Sequence, residues 1–363
     1  MRIQVLTASG IRNLRPLQLE PRERFNVFVG DNGQGKTNLL EAIYAVSALR
    51  SFRTSRLADM IAFGEAEARI GARVLKDELT RVYGVTIAQG GRQVLLDGKA
   101  VRPLSRYFGG FNVVVFTPED LALPRGAPSE RRRFLDRAVF NARPEYLSHV
   151  QAYEKALKQR NAVLKQAAQG VQPRAEELLS VYDVQLADSG LYIANARAAL
   201  VDEIRIELAQ AFTAITHGER LASARYVSKT AGTSTDEIIA QHRAGRAKDM
   251  ATQSTQFGPH RDDIAFELDG RDAGLFASQG QLRAIMLAWK TAELDVLART
   301  RGDQPVLLLD DVSSELDPAR NAYLFEHLAM QAGQVFITTT HEGHVLLTRD
   351  RADYRIKNGQ ISS

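Results

Sequence analysis

A chain of 363 residues is too long for one small core and short for three, so two domains are expected. Charged residues make up 25% and hydrophobic ones 44%, with no apolar run long enough to span a bilayer and, at the start, no basic, apolar and small-residue blocks of a secretory signal; a cytoplasmic protein without a membrane partner is expected. The absence of cysteine excludes disulfides, thiolate metal sites and redox motifs. The net charge of +4 permits a polyanionic partner without requiring one.

In chain order, alternation at Ile3, Val5, Leu17 and Leu19 and the β-prone string Phe25 to Val29 predict strands. A helix is expected from Thr37 to about Leu49. Between Arg69 and Val101, short β-type runs broken by Gly90-Gly91 and Asp97-Gly98 predict an antiparallel β-subdomain. Val113 to Phe116 reads as a further strand. From Ser129 to Gly218 the chain is helix-forming, with Pro128, Pro144 and Pro173 at the joints. Two apolar seams at alternating steps of four and three, Tyr146, Val150, Tyr153, Leu157, Leu164, Ala167 and then Leu179, Tyr182, Leu186, Ser189, Ile193, Ala196, Leu200, predict a short antiparallel helical arm. Arg160 interrupts the first seam. The arm has room for about two dozen residues per helix, roughly 36 Å. After residue 250 come strand Ile264 to Leu268, helix Gln281 to Ala298, strand Val306 to Leu309, helix Pro318 to Gln331 and strand Val335 to Thr339. This is the alternation of an α/β fold with a mostly parallel sheet. Three segments are expected: 1–124 and 251–363 as two parts of one nucleotide-binding domain, and 125–250 as an inserted helical lobe.

Gly30-Asp31-Asn32-Gly33-Gln34-Gly35-Lys36-Thr37 fits G-x-x-x-x-G-K-T between a strand and a helix. Glycines let the backbone fold around phosphates and aim N–H groups at them. Lys36 is expected to meet the β- and γ-phosphates of ATP and Thr37 to offer its hydroxyl to Mg²⁺. Far downstream, Val306 to Leu309 runs into Asp310 and Asp311. Asp310 is the expected metal-holding carboxylate and Asp311 the group that orients and deprotonates the attacking water; the alternative is that the two acids cap the next loop. Ser278-Gln279-Gly280-Gln281 opens a predicted helix as an ABC signature does. Ser314-Glu315-Leu316-Asp317 follows Asp311 like a D-loop, and His341 ends a strand like a switch histidine.

Within this ABC-type P-loop class the chain closely resembles the RecF family along nearly its whole length. The likeness is carried by Asn32 to Ala42, Arg50-Ser51-Phe52-Arg53, Pro118-Glu119-Asp120-Leu121, Arg131-Arg132-Arg133-Phe134-Leu135-Asp136, Gly258-Pro259-His260-Arg261-Asp262-Asp263, Asp310-Asp311 and Ser314 to Asp317. It implies an ATP-dependent homodimer that binds DNA and acts with RecO and RecR to place RecA on gapped DNA. It also implies that the signature serves the partner's nucleotide. Two departures from the wider ABC pattern stand out. Asp311 replaces the usual Glu, one methylene shorter, so slow hydrolysis is expected; and Pro118-Glu119 follows Thr117 where a Q-loop glutamine is usual. DNA contacts are expected from arginines on phosphates, with Arg50, Arg53 and Arg56 sharing one face if they lie on a helix. Arg131, Arg132 and Arg133 form a second basic cluster. An ABC transporter subunit would not explain the Gly258 to Asp263 block, and an SMC-like organising protein would carry far longer arms.

Overall fold

Burial alternates inward and outward along Arg2–Ser9 and Glu67–Lys76, as an antiparallel sheet with one solvated face requires. In the computed structural model, which describes residues 1–218, 220–331 and 333–362, they belong to a six-stranded antiparallel sheet. Its order is Leu17–Leu19, Arg2–Ser9, Glu67–Lys76, Leu79–Ala88, Gly91–Leu96, Lys99–Ala100. Asp77 and Glu78 join the two long strands with φ of 47° and 64°, the pair of positive values that a type I′ hairpin turn demands.

The central strands of the second sheet are buried on both faces and read accordingly as largely apolar runs, interrupted by Asn26 and ending in Asp310 or in Thr338 and Thr339. Five strands are parallel, in the order Arg351–Lys357, Phe25–Val29, Val335–Thr339, Val306–Asp310, Val113–Phe116, and Gln360–Ser362 closes one edge antiparallel. Helices Lys36–Ala48, Gln279–Arg301 and Pro318–Gln331 belong to the same unit. The two C-terminal strands were not among the expected elements.

The chain divides into two compact units, Met1–Ala122 with Gln210–Glu219 and Gln279–Ser363, and Leu123–Ala209 with Arg220–Ser278. The return to the first unit therefore comes at Gln279, later than the expected 251. The strand Asp263–Leu268 does not join the nucleotide-binding sheet; it pairs with Ala222–Val227 and Arg271–Asp272 in a separate three-stranded antiparallel sheet of the second unit.

The second unit's helical hairpin is Tyr146–Ala168 and Ala175–Thr216, 23 and 42 residues. The second helix is nearly twice the expected length, about 63 Å at 1.5 Å per residue, and its last turns, from Gln210, group with the first unit. Tyr146, Val150, Tyr153, Leu164, Leu179, Leu186, Ile193, Ala196 and Leu200 are buried along the seam. Arg160 does not break the seam, because it is a buried member of it: Nε donates to Asp183 at 2.9 Å, and Nη1 to Asp249 at 2.7 Å and Thr255 at 2.9 Å. Among the described residues, no helix is long and apolar enough to cross a membrane.

Candidate nucleotide site

The Phe25–Val29 strand delivers the P-loop to the carboxyl edge of the parallel sheet, where ligands of open α/β sheets bind. Gly35 stands at φ 109°, a value that L side chains avoid, and there turns the chain into the helix Lys36–Ala48. That helix has no side-chain cap, so its first N–H groups keep the anion-facing role of an open helix N-terminus. Lys36 is buried, and its ammonium donates to the carbonyls of Gly30 at 2.5 Å and Asp31 at 3.0 Å. Burial pushes its pKa down against the opposing pull of Asp311, Asp310 and Asp31. A group in that position gains from a bound polyanion.

Thr37 and Asp310, 273 residues apart, meet directly: the Thr37 hydroxyl donates to Asp310 Oδ1 at 2.9 Å, and the Thr338 hydroxyl donates to the same atom at 2.8 Å. Burial raises the Asp310 pKa, the two hydroxyls oppose the rise, and the charges of Glu119 and Asp311 add to it. Asp311 follows at φ 52°, with its N–H donating to the Thr338 carbonyl and hydroxyl, each at 3.1 Å. It occupies the N-cap position of the short helix Val312–Glu315 yet makes no side-chain capping bond. Among the described residues its Oδ1 is buried without a hydrogen-bond partner. The loop-capping alternative therefore does not account for this acid. An orphaned carboxylate oxygen beside a lysine is the arrangement a reacting water or ion completes. Mg²⁺ fits here: it binds through one or two carboxylates and substrate phosphates rather than a protein cage, and the Thr37 hydroxyl and the Asp310 carboxylate meet next to the P-loop lysine.

Sequence reasoning left the Q-loop position without an occupant. Thr117 and Asp120 close a capping box around Pro118, and this sets the exposed Glu119 within electrostatic reach of Asp310. The signal available in the sequence was that box.

The family model described as RecF/RecN/SMC N terminal domain matches residues 2–361. The DNA replication and repair protein RecF of Myxococcus xanthus (strain DK1622) is 41% identical over 351 residues, covering 94% of this chain and 91% of that protein. The chain belongs to the RecF family. The structure of the recombination mediator protein RecF-ATPrS in the RecFOR pathway superimposes with a TM-score of 0.89 at 29% identity, covering 99% of this chain and 97% of that one. An SMC head bound to the C-winged helix domain of ScpA, with a TM-score of 0.55 and 15% identity over 100% of this chain and 97% of that one, shares the fold alone.

The other sequence motifs fall in several places. Ser278 and Gln279 are exposed where the helix Gln279–Arg301 begins. Gly280 lies against the Arg320 guanidinium, where an added Cβ would come within 3.3 Å of it. Arg320 is paired with Asp317, and Arg283 donates to Glu315 at 2.7 Å. The helix Gln279–Arg301 and residues 314–317 are thereby tied together within one chain. His341 is exposed beyond the strand Val335–Thr339, its ring edge-on to His344 with centroids 5.5 Å apart.

Arg50, Arg53 and Arg56 do not share a helix face. The P-loop helix ends at Ala48, Leu49 turns at φ 52°, and residues 50–56 are irregular. All three are exposed, but Arg53 is drawn inward, donating to Asn38 at 2.8 Å and pairing with Glu41, a fully buried carboxylate that also takes a bidentate bond from Arg12 at 2.7 and 2.9 Å. Of the other cluster, Arg131 is committed to Asp263 and Arg133 is exposed.

Proposed function

We propose that this chain is an ATP-switched DNA-binding protein of recombinational repair and replication restart, working as a homodimeric clamp. The observation that carries the reading is the meeting, at one sheet edge of a RecF family member, of buried Lys36, the 2.9 Å Thr37–Asp310 bond and the unpartnered Oδ1 of Asp311. Residues Gly30 to Thr37 hold the phosphates of ATP through backbone N–H groups and the Lys36 ammonium. Thr37 and Asp310 hold Mg²⁺, which supplies neutralisation of phosphate charge when bound. Asp311 orients the attacking water and takes its proton. Being one methylene shorter than the usual Glu, it makes hydrolysis slow, so that ATP acts as a switch. Ser278 to Gln281 close on the partner's nucleotide, with Ser314 to Asp317 and His341 at the same junction. By the names of its relatives, DNA replication and repair and the RecFOR pathway are its setting, which gives DNA, RecO and RecR as partners and RecA loading on gapped DNA as the outcome.

Sedimentation velocity on the wild-type chain and on Lys36→Ala, each with and without ATP and a gapped duplex, tests this. The expected result is an ATP-dependent shift from monomer to DNA-bound dimer in wild type and its loss in the variant, since a nucleotide moves the equilibrium only through its preference for the closed form. A dimer or DNA complex indifferent to ATP, or equally formed by Lys36→Ala, would overturn the proposal.

A further inference from the structure

The Gly258 to Asp263 block takes no part in the nucleotide site, and its local chemistry leaves two guanidiniums without carboxylates. Gly258 sits at φ 125°, where an added Cβ would approach the Tyr153 hydroxyl to 2.4 Å; the turn is thus closed tightly against that ring. Both acids of the block are committed. Asp262 accepts from the Tyr226 hydroxyl at 2.6 Å and the Ser228 hydroxyl at 2.7 Å, and Asp263 accepts from Arg131 Nε and Nη2 at 2.9 and 2.5 Å.

The two remaining arginines reach only main-chain carbonyls. Arg132, half-buried, donates from Nη1 to the Asp262 carbonyl at 2.9 Å; Arg261, exposed, lies 3.3 and 3.4 Å from the Thr255 carbonyl. His260 shares that carbonyl at 2.9 Å and meets the Tyr153 hydroxyl at 2.6 Å. Burial, then the charge of Arg197 and more weakly that of Arg261, push the Arg132 pKa down against the pull of Asp263 and Asp136. Five other arginines of this unit, Arg131, Arg143, Arg160, Arg197 and Arg246, each pair with a carboxylate. Among the described residues Arg132 and Arg261 are in no ion pair, although Arg132 reaches from the helix Pro128–Ala142 to the turn that carries Arg261 and the two repel each other.

We propose that Arg132 and Arg261 form a binding site for the phosphate backbone of DNA. The proposal rests on the DNA-binding reading above and adds to it the surface. Planar guanidinium forks match phosphate oxygens, and an anion between two like charges removes their repulsion as well as adding its own attraction. Contacts of this kind position a duplex without reading its sequence.

The test is salt-dependent binding of a fluorescein-labelled gapped duplex to the full-length protein with ATP, comparing wild type, Arg261→Gln, Arg261→Lys and the double variant Arg132→Gln/Arg261→Gln. Each phosphate contact contributes about 0.9 to the slope of log affinity against log salt on duplex DNA. The double variant is therefore expected to flatten the slope by about 1.8. Between 50 and 200 mM salt, wild type would lose about twelvefold more affinity than the double variant. Arg261→Gln loses no ion pair and keeps the test valid should the double variant not fold; its expected change is about 0.9, whereas Arg261→Lys keeps the wild-type slope. Wild-type affinity and slope in both glutamine variants would overturn the proposal and point instead to an acidic protein surface as the partner of this turn. No DNA binding by wild type would be a failure of the DNA-binding reading itself, seen before any variant is compared.

Discussion

The two units bury charge in opposite ways. At the sheet edge of the first, Lys36 is sealed in with only carbonyls to donate to, Asp310 is buried with its pKa raised, and Asp311 keeps an oxygen without a partner. In the second, the fully buried Arg160 is matched by Asp183 and Asp249, and the buried Arg197 by Asp136 at 2.8 Å. Buried charge that is paired within the chain fixes one arrangement of helices; buried charge left incomplete is a place for a ligand to finish. The contrast is not a property of α/β against helical architecture, since Glu41 in the first unit is paired as thoroughly as any acid in the second.

The largest expected effect is at the incomplete end. Asp311→Asn keeps Lys36, Thr37 and Asp310, so nucleotide affinity should persist while steady-state turnover falls about 10²–10⁴-fold; turnover near wild type would remove Asp311 from the reaction. At the complete end, Arg160→Met leaves Asp249 buried without its cation and Asp183 with Arg246 alone, a loss of about 3–5 kcal/mol. Urea denaturation followed by circular dichroism measures it, and a change below about 1 kcal/mol would mean that the network does not hold the hairpin.

Acid should separate the two ends by sign. Burial pushes His242 and His260 down from 6.5 to about 4. Each therefore costs the native state nothing above 6.5, and destabilises it progressively as pH falls from 6.5 to about 4, where the unfolded chain takes up the proton first. His242→Gln should remove part of that loss, read as a shallower fall of the urea midpoint over this window. Asp310 behaves oppositely. Its raised pKa means that the ionised carboxylate weakens the nucleotide-free fold above the ordinary value of 3.8, and that acid relieves the strain. The smallest predicted effect follows: Asp310→Asn, which keeps an oxygen for Thr37 and Thr338, should raise the melting temperature of the nucleotide-free protein at neutral pH, with the gap to wild type closing as pH approaches 3.8. A lower melting temperature at neutral pH would show that no such cost is carried at the site.

Local signals were legible without the structure. The helices after the P-loop and over Pro318–Gln331, the strand Val335–Thr339 and the hairpin turn at Asp97-Gly98 all follow from periodicity and turn chemistry confined to neighbouring residues. The P-loop and the acids ending Val306–Asp310 were legible for a second reason: their residue types serve one chemistry, so their meeting across 273 residues could be inferred before any distance was known.

Long-range charge pairing was beyond such reading, since a lone arginine looks the same whether it faces water or two carboxylates. Arg160 therefore read as a flaw in a seam that it in fact completes, and Arg53 as a surface cation although Glu41 holds it. The same limit explains Glu119, brought near Asp310 by a capping box, and the strand Asp263–Leu268, whose alternation does not say which sheet it joins. By itself the sequence determined most of the elements and the residue types that meet at the sheet edge, because both depend on residues close in the chain or on chemistry written in their types. Only the tertiary structure decided which charges are neutralised and which are left open, because that depends on partners whose separation in the chain carries no pattern.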